Sequence, residues 1–122
     1  MVKGRIQIAI VDDDPSFLRA LDRLLRTARF APLTYASGET FLLEYPFMPL
    51  DCVILDIDLG TMTGFDVARK LAAEKSRVPI IFMTGRDDPA AREQAEETGC
   101  VAYLRKPCSP ESLFDAIRLA LQ

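Results

Sequence analysis

The chain has 122 residues, 49% hydrophobic and 27% charged, with a formal net charge of −3. That size fits one domain built on a single core, and that apolar content excludes intrinsic disorder. No apolar run approaches the roughly 20 residues that cross a bilayer, and an acidic balance without a basic cluster argues against direct nucleic-acid binding.

The opening, residues 1–6, carries Lys3 and Arg5 but no long apolar region or small-residue cleavage site. It therefore does not read as a signal peptide, and a cytoplasmic location is expected. Cys52, Cys100 and Cys108 are odd in number, without C-x-x-C spacing, and the chain has no histidine. Reduced thiols in or near a core are the expected reading.

Residues 6–11 form an apolar run that ends in Asp12-Asp13-Asp14. Pro15 suits a first helical position with Asp14 as N-cap, and Phe17, Leu18, Leu21, Leu24, Leu25 and Ala28 then fall on one helical face. Residues 31–35 read as a weaker strand, its proline placing it at a strand start or on an edge. Ser37-Gly38 opens a short helix over residues 39–45, stopped by Pro46. The next run, Asp51-Cys52-Val53-Ile54-Leu55-Asp56, has the length and Val/Ile content of a strand buried on both faces.

A loop over residues 59–64 leads to a helix from 65 to about 75. Residues 78–83 read as another two-face-buried strand, ending in Thr84-Gly85. The helix over residues 89–97 is mostly polar, with Ala91 and Ala95 as its main core contacts, so it packs weakly. Residues 101–104 form the last strand, ending in Arg105-Lys106-Pro107. Ser109 then caps a helix with Pro110 in its first turn and Leu113, Phe114, Ile117, Ala120 and Leu121 on one side.

Strand and helix alternate about five times, which predicts an α/β domain over residues 1–122, a parallel sheet with helices on both faces. Parallel strands share one carboxyl edge, so Asp12, Asp13, Asp56, Thr84 and Lys106 are expected on the same rim. In the flavodoxin-like order 2-1-3-4-5 the first and third strands are neighbours at the switch point, which sets the acidic groups side by side. Carboxylates about 4 Å apart repel by roughly 4 kcal/mol per pair at an effective dielectric near 20. Lys106 offsets one charge, and a hard divalent cation such as Mg²⁺ suits the rest. Such a site fits phosphoryl transfer, with Asp56 as nucleophile and Thr84 as hydroxyl donor. Each residue also has a duller reading. Asp12 and Asp13 would serve as helix caps, Asp56 as a turn residue, Thr84 as a strand exit and Lys106 as a solvated lysine. Their occurrence together at successive strand ends is what favours a site.

The residues Val11-Asp12-Asp13-Asp14, Ile54-Leu55-Asp56, Gly64, Met83-Thr84-Gly85 and Tyr103-Leu104-Arg105-Lys106-Pro107 carry a resemblance nearly end to end. The sequence resembles the receiver domain of bacterial two-component response regulators, most like the FixJ-type transcriptional regulators. The resemblance implies that Asp56 accepts a phosphoryl group from a phosphohistidine on a histidine kinase or phosphotransfer protein. Asp13, Asp56 and the backbone carbonyl of Asp58 would bind Mg²⁺, and Asp12 would act through metal-bound water. Lys106 and Thr84 would hold phosphoryl oxygens, with Lys106-Pro107 cis and Tyr103 as the aromatic switch. The signal would emerge on the polar helix, last strand and final helix, a face also open to a phosphorylation-dependent homodimer.

Some positions depart from the family's usual wording. Leu59-Gly60 stands where Met-Pro is frequent, and Cys108 replaces a frequent phenylalanine. Asp58 and Arg86 occupy positions that influence the hydrolytic water, and they are expected to meet over the site and set the acyl-phosphate lifetime. Two rival readings are a non-phosphorylated docking receiver and a haloacid-dehalogenase-type phosphatase built on Asp56-Ile57-Asp58. The phosphatase threonine would fall at Gly60, whereas the chain has Thr61, and here the acidic pair precedes the nucleophile. The resemblance therefore implies a signalling phosphoacceptor rather than an enzyme acting on a separate substrate.

Overall fold

The structure, a computed structural model, describes residues 4–86 and 88–122. The expectation made for the opening segment falls in part on residues 1–3, which lie outside the described residues. Five strands, β1 (Gln7–Val11), β2 (Ala31–Tyr35), β3 (Cys52–Asp56), β4 (Ile80–Thr84) and β5 (Ala102–Arg105), alternate with five helices. The helices are α1 (Pro15–Thr27), α2 (Gly38–Glu44), α3 (Gly64–Ala73), α4 (Pro89–Glu97) and α5 (Pro110–Ala120). The sheet is parallel throughout, in the order β2-β1-β3-β4-β5 expected of the doubly wound flavodoxin-like fold.

The two-residue period of a strand divides the core. Ile8, Ile10, Cys52, Ile54, Ile81 and Met83 point to one face and pack with Leu21 and Leu25 of α1 and Leu113 and Ile117 of α5. Ala9, Val11, Val53, Leu55 and Phe82 point to the other, against Phe41 of α2, Val67 and Leu71 of α3 and Ala95 of α4. Every residue of β3 is buried, as its unbroken apolar run requires. β2 is an edge strand, and Pro32 lies opposite Ile8 there, where a missing N–H is tolerated.

Element ends differ from expectation by a residue or two, each for a local reason. β4 starts at Ile80 rather than 78, after Pro79, whose carbonyl accepts from the Val53 N–H at 3.0 Å. α3 starts one residue early because Thr63 and Asp66 form a reciprocal capping box. It stops at Ala73 because Lys75 takes a left-handed conformation, φ 60°. Past α2 the chain tightens into a 3-10 turn, Tyr45–Phe47, where Pro46 ends regular α-helix. Asp14, Ser37 and Ser109 cap α1, α2 and α5 through their side chains. Cys52 is buried and Cys100 and Cys108 half-buried, and all three are free thiols.

Candidate functional site

Register carries the candidate residues to one place. Val11 pairs with Leu55, so Asp12 follows β1 beside Asp56 at the end of β3. Asp56 pairs with Met83, and Thr84 pairs with Arg105, so the ends of β4 and β5 close the same rim with Thr84 and Lys106. Carboxylate oxygens of Asp12, Asp13 and Asp56 lie within 4.8 Å of one another. Asp12 and Asp56 are buried, at 1% and 6% exposure, whereas Asp13 is exposed.

Lys106 bridges the two buried acids, with Nζ 2.5 Å from Asp12 Oδ2 and 3.5 Å from Asp56 Oδ2. Backbone donors hold the carboxylates: Asp14 N–H donates to Asp12 Oδ1 at 2.9 Å and Asp58 N–H to Asp56 Oδ1 at 3.3 Å. Asp12 N–H in turn donates to the Tyr35 carbonyl at 3.0 Å. Lys106 is tied to the neighbouring strand end by its N–H, which donates to the Thr84 carbonyl at 2.7 Å, and the Lys106-Pro107 bond is cis.

Desolvation raises the cost of charge in this cluster. Burial first, and then the neighbouring Asp12 carboxylate, push the Asp56 carboxyl up to about 6, although Lys106 and the Asp58 N–H pull the other way. Burial favours the neutral amine of Lys106, but its hydrogen bond to Asp12 and the charge of Asp56 outweigh that and raise its pKa. Three carboxylates at this spacing repel by about 3 kcal/mol per pair at an effective dielectric near 20, and one ammonium does not balance them. The cluster offers only carboxylate oxygens and is partly open through Asp13, which suits a hard oxygen-seeking cation.

The remaining candidates surround this centre. The Thr84 hydroxyl is buried and accepts from the Arg86 N–H at 3.2 Å, closing the turn after β4. The Arg86 guanidinium reaches Asp58 at 2.9 Å, so the two residues do approach one another, as an exposed pair. Tyr103 is half-buried on β5, with the Arg92 guanidinium of α4 4.6 Å from its ring centre. In the loop after β3, Leu59 is buried and Gly60 takes φ +85°, so Leu-Gly builds a turn there without a proline. Gly64 passes so close to β3 that a Cβ would stand 2.4 Å from the Asp56 carbonyl oxygen. Cys108 lies half-buried against the α1/α5 side of the core.

One neighbour of the cluster is invisible in the sequence pattern. Phe17 is legible there only as part of the apolar face of α1, yet the Lys106 ammonium sits 4.2 Å from its ring centre. Nothing in local spacing pairs two residues so distant in the chain.

Known proteins resemble this chain in sequence and in fold. A model of the response regulator receiver domain matches residues 8–118. The response regulator protein TmoT of Ectopseudomonas mendocina is 37% identical over 115 residues, covering 94% of this chain and 52% of that protein. The transcriptional regulatory protein FixJ of Bradyrhizobium diazoefficiens is 29% identical over 120 residues, covering 98% of this chain and 58% of that protein. The solved structure of a response regulator receiver protein from Burkholderia phymatum superposes with a TM-score of 0.84 at 40% identity, covering 96% of this chain and 95% of that one. The chain spans about half the length of the curated relatives it matches. On sequence and fold together, it belongs to the response regulator receiver domain family of two-component systems.

Proposed function

We propose that residues 1–122 act as one phosphoacceptor receiver unit, in which Asp56 takes a phosphoryl group from the phosphohistidine of a histidine kinase or phosphotransfer protein. The observation that carries this reading is the carboxylate cluster, two of its three acids buried, with an ammonium 3.5 Å from Asp56. An Asp56 carboxylate oxygen attacks phosphorus as the P–N bond of the donor breaks. The electron pair of that bond leaves with the imidazole nitrogen, and an acyl phosphate results. Asp13, Asp56 and the Asp58 carbonyl would hold Mg²⁺, with Asp12 acting through water. The bound ion supplies positive charge to the crowded carboxylates and to the phosphoryl oxygens.

The chain's own groups do the rest. Lys106 transfers its hydrogen bonding from the carboxylates to a phosphoryl oxygen. The Thr84 hydroxyl, whose oxygen accepts from Arg86 N–H, still has its proton to donate to another phosphoryl oxygen. Movement of Thr84 opens space for Tyr103 to turn inward, which changes its contact with Arg92 and so the seating of α4. α4 buries only Ala95 among its described residues, so it is held weakly enough for the acyl phosphate to favour a second conformer. The altered face is α4, β5 and α5, which would also serve a phosphorylation-dependent homodimer. The exposed Asp58–Arg86 pair lies across the approach of the hydrolytic water and sets how long the acyl phosphate lasts. We place this activity in the cytoplasm, where the kinase phosphohistidine is formed. Among the described residues no helix is long and apolar enough to cross a membrane, and with a net charge of −3 this segment is not expected to bind nucleic acid directly.

Beryllofluoride with Mg²⁺ tests the reading, because it mimics a phosphoryl group on a carboxylate. Amide shifts spreading from Asp56 to α4, β5 and Tyr103, absent without Mg²⁺ and absent in Asp56→Asn, are expected. An unresponsive parent protein would favour a docking module that is never phosphorylated.

A further inference from the structure

Lys106 has a neighbour that phosphoryl chemistry does not demand. Its Nζ lies 4.2 Å from the centre of the Phe17 ring while it bonds Asp12 at 2.5 Å and stands 3.5 Å from Asp56. Phe17 is the third residue of α1, and the Asp14 carboxylate accepts from the N–H groups of Ser16 and Phe17 at 3.0 and 3.4 Å. The turn that delivers Asp12 and Asp13 therefore also fixes the backbone from which the ring projects. An aromatic face is the negative side of a quadrupole and attracts an ammonium, more strongly where water is excluded. The Lys106 side chain is only 20% exposed, so the contact is made in a largely dry setting. A lysine ammonium is a point charge on a flexible stem, and its hydrogen bond to Asp12 and ion pair with Asp56 hold it only as long as it stays with them.

We propose that Phe17 is a positioning residue for Lys106, its ring tethering the ammonium at the carboxylate cluster while the phosphoryl group arrives. The inference rests on the reading of Asp56 as a phosphoacceptor. The bond from an Asp56 oxygen to phosphorus forms as the donor's bond to phosphorus breaks, the electron pair leaving on the donor atom. During this exchange Lys106 must pass from carboxylate oxygens to a phosphoryl oxygen. Attraction to a ring face tolerates that small displacement, so the ring keeps the charge in place when its hydrogen-bond partners change.

The test uses the whole chain with acetyl phosphate and Mg²⁺, comparing the parent with Phe17→Leu, Phe17→Tyr and mono-, di- and trifluorophenylalanine at position 17. Fluorination drains the ring face with little change in volume. The phosphorylation rate constant should fall roughly fivefold to thirtyfold in Phe17→Leu, the range a desolvated contact of this kind supports. It should recover in Phe17→Tyr and decline stepwise with each fluorine. A rate that is flat across the fluorinated series, or a Leu variant as fast as the parent, overturns the proposal, since simple filling of space would give that result. A second readout needs no phosphoryl transfer: ¹³Cε relaxation of Lys106 should show a more mobile side chain in Phe17→Leu and a parent-like one in Phe17→Tyr. If the parent accepts no phosphoryl group, the function reading fails on its own. The tether is then judged by this mobility alone, and an equally ordered lysine in the Leu variant overturns it.

Discussion

Asp56 is ionised at the expense of the fold, and that cost is measurable. The carboxyl is 6% exposed and its pKa stands at about 6, against roughly 3.9 for an unfolded chain. A raised carboxyl pKa means that the folded state binds the proton more tightly than the unfolded state. Stability linked to this group is therefore full below the unfolded value, is lost as pH rises from about 4 to 6, and stays lost above that. A difference near two units corresponds to about 3 kcal/mol at pH 7.5. Asp56→Asn resembles the protonated form and escapes this cost. In metal-free buffer with a chelator, urea titration at pH 7.5 should find the variant more stable than the parent by up to about 3 kcal/mol. At pH 4.5, where the parent is mostly protonated when folded, the advantage should shrink to about 1 kcal/mol. A variant less stable than the parent at pH 7.5, or an advantage that grows on acidification, would refute the electrostatic reasoning.

Gly64→Ala should destabilise the domain by about 1–3 kcal/mol, because the new Cβ would stand 2.4 Å from the Asp56 carbonyl oxygen; an unchanged urea midpoint would show that the loop yields freely. Asp13→Asn should weaken Mg²⁺ binding at least about tenfold, read from fluorescence or amide-shift titration, and equal affinity would remove Asp13 from the ligand set. Asp58→Ala and Arg86→Ala should each change stability by less than about 1 kcal/mol, since the pair is exposed. Both should nonetheless shorten the acyl-phosphate lifetime by opening the site to water, and release rates equal to the parent in both variants would end that assignment.

Burial on two faces makes the fold legible in the amino-acid sequence. β3 and β4 announce themselves as unbroken apolar runs because helices cover both sides of them, and parallel pairing then dictates that their carboxyl ends share a rim. Chain order and strand order alone therefore bring Asp12, Asp56, Thr84 and Lys106 together. Element ends are harder, because they depend on side chains acting outside the hydrophobic pattern. The Thr63–Asp66 capping box pulls α3 forward, and Pro79 pushes the start of β4 back. The contact of Phe17 with Lys106 is not legible at all. An apolar residue on a core-facing helical stripe looks the same whether it meets a leucine or an ammonium. The turn at Arg86 is foreseeable only in part: its approach to Asp58 follows from both lying just past strand ends, whereas its N–H closing on the Thr84 hydroxyl is a local turn preference.

Uptake of a phosphoryl group by Asp56 is the most direct test of all. Intact-mass spectrometry after incubation with acetyl phosphate should show one added phosphoryl group on the parent when Mg²⁺ is present. The adduct should be absent when Mg²⁺ is chelated and absent in Asp56→Asn. An unmodified parent, or an Asn variant labelled as fully as the parent, would contradict the phosphoacceptor role.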